Sequence, residues 1–208
     1  LMFNAQSFGT TDPQFGLDNG FYVFVLPGLK LVLAAVAMLL GVGLVFSVVT
    51  HVLMGGIRIT MPVNGRGLFS ITKRCRRQLG IWLMLNMFAW AVRQMIGVFD
   101  QLTVQGSRIT GASCTAVHAN IPVTFIMAAL TAILGVVLGI WLMRSHTLEG
   151  QASIGVRASA ALKAWRVPVT SIAVVVVVGL VLTVAWPVLL QRFRVNPNAQ
   201  EMESTYIQ

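Results

Sequence analysis

Charge is what this sequence has least of: 10% of its 208 residues are Asp, Glu, Lys or Arg, against roughly 25% in a soluble domain. Acids are the rarer half, 6 in all, and none falls inside the apolar runs described below. A soluble globular fold is thereby excluded, and so are the intramembrane carboxylates on which proton relays and cation paths depend. Cysteine is nearly absent too. Cys75 and Cys114 lie 39 positions apart, too few for a disulfide framework and unlike any paired zinc motif. No HExxH, GxSxG or Walker lysine loop occurs, and His51, His118 and His146 are scattered, so no catalytic, cofactor-binding or metal-ligating residue is assigned. Cys114 and His118 have an i, i+4 spacing, but two ligands on a glycine-rich loop do not make a metal site.

What is present is apolar surface. Hydrophobic residues make up 56% of the chain, and the mean hydropathy is +0.80. Leu31 to Met54 are 24 residues without a formal charge, which at ~1.5 Å per residue reach ~36 Å and exceed the ~30 Å hydrocarbon core. Ile121 to Met143 and Val167 to Leu190 are equally clean. Leu79 to Phe99 is weaker because it holds Asn86, Arg93 and Gln94, but Arg93 is six residues from Phe99 and can extend its guanidinium to an interface. The expected fold class is therefore all-α: a polytopic helical membrane protein with spans near 31–54, 79–99, 121–143 and 167–190. The spans form one membrane domain, 31–190, between an extracytoplasmic segment, 1–30, and the start of an extracytoplasmic region, 191–208.

Loop charge gives the orientation without reusing hydropathy. The chain has 15 Lys and Arg against 6 acids, a formal charge of +9, and the excess is unevenly spread. The first connection holds Arg58, Arg66, Lys73, Arg74, Arg76 and Arg77 with no acid, and the third holds Arg144, Arg157, Lys163 and Arg166 against Glu149. These belong on the cytoplasmic side. The amino-terminal stretch (Asp12, Asp18, Lys30), the second connection (Asp100, Arg108) and the tail (Arg192, Arg194, Glu201, Glu203) are near balance and belong outside. Both ends are then extracytoplasmic. The excess of cations is read as setting this orientation, with the lipid bilayer as partner and no nucleic acid.

Within the third connection, Ile154, Ala158, Ala161, Leu162 and Trp165 share one helical face, with Lys163 and Arg166 opposite. That pattern predicts a short amphipathic helix lying in the interface; a helical extension of the fourth span is the competitor, against which Pro168 argues for a break. Ala128, Ala132, Gly135 and Gly139 form a small-residue stripe on the third span, suited to close helix packing within the chain or to dimerisation. Lys73, Arg74, Arg76 and Arg77 form either a positive-inside stop or a cluster for anionic lipid headgroups. His51, Asn86 and Arg93 are the polar side chains near membrane depth and are assigned structural roles. Cys75 and Cys114 fall on opposite sides and are expected to be free thiols.

Several strings occur together and in order: DPQFGLDNGFYVFVLP (Asp12 to Pro27), GGIR (Gly55 to Arg58), TGAS followed by HANIP (Thr110 to Pro122), Trp186-Pro187, and VNPNAQEMESTYI (Val195 to Ile207). The set resembles the UPF0182 family of bacterial, mainly actinobacterial, membrane proteins. Members are much longer, with further predicted spans upstream and a large extracytoplasmic region downstream. The resemblance implies that these are the last four spans of that bundle, which agrees with an opening stretch lacking signal-peptide character and a tail that stops in mid-pattern. Where family sequences tend to read TGAGYTD, residues 110–116 read TGASCTA and lack the aromatic and the acid. The third connection is longer than expected for the family.

The family is uncharacterised, so the resemblance implies a place and no reaction. The functional expectation is a non-enzymatic membrane component that anchors an extracytoplasmic domain and joins a cell-envelope complex with other membrane protein subunits. A transporter or channel subunit, and a membrane enzyme whose chemistry lies elsewhere in a longer protein, are the alternatives.

Overall fold

The computed structural model describes residues 5–59, 69–103, 119–145, 154–190 and 192–193. The fold is all-α, and four helical stretches are long and apolar enough to cross a membrane: Phe21–Leu53, Lys73–Leu102, Ile121–Arg144 and Arg166–Leu189. In chain order the elements are α1 (Leu26–Leu53), β1 (Ile57–Ile59), β2 (Phe69–Ile71), α2 (Lys73–Gly97), α3 (Ile121–Arg144), α4 (Ile154–Leu180) and α5 (Trp186–Leu190).

Local chemistry explains where these helices begin and end. A π-helical turn, Phe21–Val25, leads into α1, and another, Val181–Ala185, leads into α5. Each stands just before a proline, Pro27 or Pro187. Proline offers no N–H and pushes against the carbonyl four residues back, and a wider turn at that point relieves the clash. At its other end α1 closes in a Schellman motif: the Gly55 N–H donates to Val52 O at 3.2 Å and the Gly56 N–H to His51 O at 2.7 Å. Gly55 takes φ 70°, the left-handed conformation the motif requires. This accounts for the Gly-Gly of GGIR.

The first connection contains an antiparallel pair that a reading of it as a plain basic loop does not anticipate, with Ile57 opposite Ile71, Arg58 opposite Ser70 and Ile59 opposite Phe69. The α2 helix starts at Lys73, a turn and a half before Leu79. Cations in a first turn oppose the helix dipole, but Thr72 supplies a cap: its Oγ1 accepts from the Cys75 N–H at 3.4 Å and its carbonyl from the Arg76 N–H at 3.0 Å.

The stretch expected as a separate interfacial helix is helical but continuous with the fourth span, because α4 runs through Pro168 without a break. Hydroxyls serve the carbonyls around the proline. Thr170 Oγ1 donates to Arg166 O at 2.6 Å and Ser171 Oγ to Pro168 O at 3.1 Å, while the carbonyl that the proline deprives of its N–H partner is that of Ala164, one turn earlier.

The chain divides into two compact units, Leu1–Ala34 with Ala91–Ala129 and Val176–Gln208, and Ala35–Trp90 with Leu130–Val175. In the first, Leu26, Val98, Ala119, Ile121 and Val123 are buried. In the second, Ile71, Cys75 and Leu79 form a buried cluster against which Leu44, Ile57 and Leu142 pack.

Candidate membrane-embedded site

Within the first unit, Pro27, Lys30, Leu31 and Ala34 recur at i, i+3, i+4 and i+7 along α1, and Arg93, Ile96, Gly97 and Asp100 repeat that spacing from α2 into the 3-10 turn Phe99–Leu102. With Leu33, the two stripes line a cavity of about 470 Å³. The Lys30 ammonium and the Asp100 carboxylate pair across it at 2.7 Å, both partly exposed. Arg93 is exposed and makes no hydrogen bond or ion pair with the described residues. Two cations and one carboxylate leave the cavity with one formal positive charge. A Cβ added at Gly97 would have nothing within 4 Å, so the glycine leaves this wall open.

The amino-terminal segment is folded around two carboxylates. Asp12 accepts from the N–H groups of Gln14 (2.7 Å) and Phe15 (3.0 Å) and from the Tyr22 hydroxyl (2.8 Å). Asp18 accepts from the N–H groups of Phe8, Gly9 and Gly20 and from the Ser7 hydroxyl. Burial pushes the Asp12 carboxyl up, but the bonds from Gln14, Tyr22 and Phe15 outweigh it and hold it below the usual range. The Ser7 hydroxyl, with the backbone donors, lowers Asp18 to about 2. Phe15, Phe21 and Tyr22 then pack edge-on around Phe99 with ring centroids 5.0, 5.5 and 6.4 Å away, tying this segment to the end of α2. The string DPQFGLDNGFY is accounted for by this arrangement: its acids are acceptors inside a turn.

The small-residue stripe of α3 is placed as follows. Ala128 is buried in the first unit and Ala132 is half-buried in the second. Gly135 and Gly139 are buried in the second unit, where an added Cβ would run into Met87 and Met84 of α2. The partner glycine on α2, Gly80, carries no signal in the sequence beyond its own smallness. The basic cluster is split by helical periodicity. Lys73, Arg74 and Arg77 are exposed, whereas Arg76, one turn before the buried Leu79 and Gly80, is itself completely buried, so three of the four cations face outward.

His51 pairs its Nε2 with Gln78 Oε1 at 3.0 Å. Asn86 donates its side-chain amide to Leu40 O of α1 at 3.2 Å and to Trp82 O of its own helix at 2.8 Å. Cys75 is a free, buried thiol. Cys114, His118, His146, Glu149 and the TGASCTA segment lie outside the described residues, as do the side chains of Arg157 and Lys163. In the sequence Lys30 and Asp100 stand out only as loop charges. The matching i, i+3, i+4, i+7 stripes on either side of the cavity are the available signal.

The profile of an uncharacterised protein family, UPF0182, matches residues 1–208. Among curated relatives, a UPF0182 protein of Bifidobacterium adolescentis is 77% identical over 208 residues, covering all of this chain and 19% of the relative. UPF0182 proteins of Corynebacterium glutamicum and Kocuria rhizophila are 32% and 34% identical, again over the whole chain and 19% of each relative. The chain thus spans about a fifth of the length of the curated relatives it matches. No solved structure matches it.

Proposed function

The chain belongs to the UPF0182 family, and on that premise we propose that it is a non-enzymatic segment of a bacterial cell-membrane protein, anchoring an extracytoplasmic region and docking other membrane helices. The observation that supports this reading is how little of each span the chain itself covers. In the most apolar window of the four stretches, 6%, 11%, 22% and 6% of residues are buried. Valines, leucines and phenylalanines such as Val45, Phe46, Phe88 and Val176 stay exposed along the helices. Such faces need lipid or further helices against them, and relatives five times as long have the chain to provide some.

The same reading carries the orientation. The exposed Lys73, Arg74 and Arg77, with Arg58, Arg144 and Arg166, lie on the cytoplasmic side by the positive-inside rule, and both ends of these 208 residues are extracytoplasmic. Site-specific photo-crosslinking tests it. With the cross-linker at Phe46 or Phe88 in the full-length protein in cells, adducts to another part of the protein or to a second membrane protein are expected. Adducts to lipid alone at both positions would contradict docking, and solute flux in proteoliposomes would favour the transporter alternative.

A further inference from the structure

We propose that the cavity lined by Lys30, Arg93 and Asp100 holds the phosphate of a monoanionic glycerophospholipid. This goes beyond the anchor reading and does not depend on it.

Depth comes first. The stretch Phe21–Leu53 is 33 residues, ~50 Å at ~1.5 Å per residue, and overhangs a ~30 Å hydrocarbon core by ~10 Å at each end when centred. Lys30, nine residues in, falls within ~4 Å of the boundary of that core on the same estimate. Arg93 lies nine residues before the end of Lys73–Leu102, which is 30 residues or ~45 Å long. Its Cα then sits ~6 Å inside the boundary, and the long side chain spans that distance. Both cations reach the level at which lipid phosphates lie.

Lys30 already has Asp100, whereas Arg93 has no partner among the described residues. A guanidinium at this depth is costly unless an anion meets it, and its planar fork suits the two free oxygens of a phosphodiester. The single surplus positive charge of the cavity matches one monoanionic lipid and leaves nothing for the ammonium of a zwitterionic one. Leu31, Leu33, Ala34 and Ile96 continue the lining with apolar groups, as the start of an acyl chain requires, and 470 Å³ falls within the range of small-molecule sites.

The test uses the full-length protein in vesicles of phosphatidylglycerol and phosphatidylcholine, followed by native mass spectrometry after extraction. Wild type is expected to retain phosphatidylglycerol in preference to phosphatidylcholine. Arg93→Gln should reduce that retention about tenfold, the loss of one charge-assisted contact. Gly97→Leu, which fills the open wall without altering charge, should reduce it comparably, and a melting curve for each variant reports whether it is folded. R93Q carries the test if Gly97→Leu does not fold. Equal retention of the two lipids, unchanged retention in R93Q, or displacement of the lipid by inorganic phosphate would each overturn the proposal.

Discussion

Gly80 and Gly139 meet backbone to backbone: a Cβ added to Gly80 would lie 2.8 Å from the Gly139 carbonyl oxygen, and one added to Gly139 would lie 2.9 Å from the Gly80 carbonyl oxygen. Neither obstacle is a side chain that can swing away. Close approach of this kind replaces the hydrophobic driving force that helices lack inside a bilayer, where lipid tails are as apolar as leucine. Gly139→Leu or Gly80→Leu is therefore expected to destabilise the protein by ~3 kcal/mol or more, beyond ordinary overpacking, or to abolish assembly. Val136→Leu, on the exposed face of the same helix, should change stability by less than ~0.5 kcal/mol. Unfolding in detergent followed by tryptophan fluorescence measures all three, and equal tolerance of leucine at positions 136 and 139 would show that α2 and α3 do not cross there.

Asn86 joins two helices through the carbonyl of Leu40. Replacing it with leucine keeps the volume and removes the bond, at a cost of ~1 kcal/mol, since interhelical hydrogen bonds in membranes average less than their isolation suggests. The same unfolding assay reads the loss. A cost below the error of the assay would leave Asn86 without the structural part assigned to it.

The amino-terminal turn should respond to acid. Asp18 drops from its ordinary 3.8 to about 2 in the folded chain, so its contribution is fully present above pH 3.8 and is lost as pH falls through about 2. Asp12 moves in the same direction. Amide hydrogen exchange at Gly9 and Gly20, whose N–H groups bind Asp18, is expected to accelerate across that window beyond the intrinsic pH dependence. Asp18→Asn should open the turn at neutral pH and flatten the response. Protection that persists unchanged below pH 2 would contradict the role given to the carboxylate.

The four spans were legible because hydropathy and length are sums over many residues, and no single side chain can reverse them. Boundaries and branch points rest on one or two contacts and were not. A run of cations before Leu79 conceals a helix start that only the Thr72 cap explains, and Pro168 suggests a break where α4 in fact runs on. Periodicity placed Gly135 and Gly139 on one face but could not name Gly80 as the residue opposite, because nothing local to α3 encodes it. The cavity was hidden for the same reason: Lys30 and Asp100 are 70 positions apart and read as unrelated loop charges until the fold pairs them. Arg76 shows the reverse, a cation that composition assigns to the surface and helical phase takes inside.

Orientation is the central claim of the proposed function, and impermeant thiol labelling of intact spheroplasts measures it most directly. Cys75 is buried and is spared whichever way the chain runs, so the reporters belong on exposed positions: Thr103→Cys beyond the end of α2 and Lys73→Cys at its start, with Cys114 replaced by serine. Labelling of the cysteine at 103 from outside, with the one at 73 reached only after the membrane is permeabilised, is the result expected of basic connections held in the cytoplasm. Labelling of the cysteine at 73 from outside while that at 103 is protected would invert the topology and contradict the account.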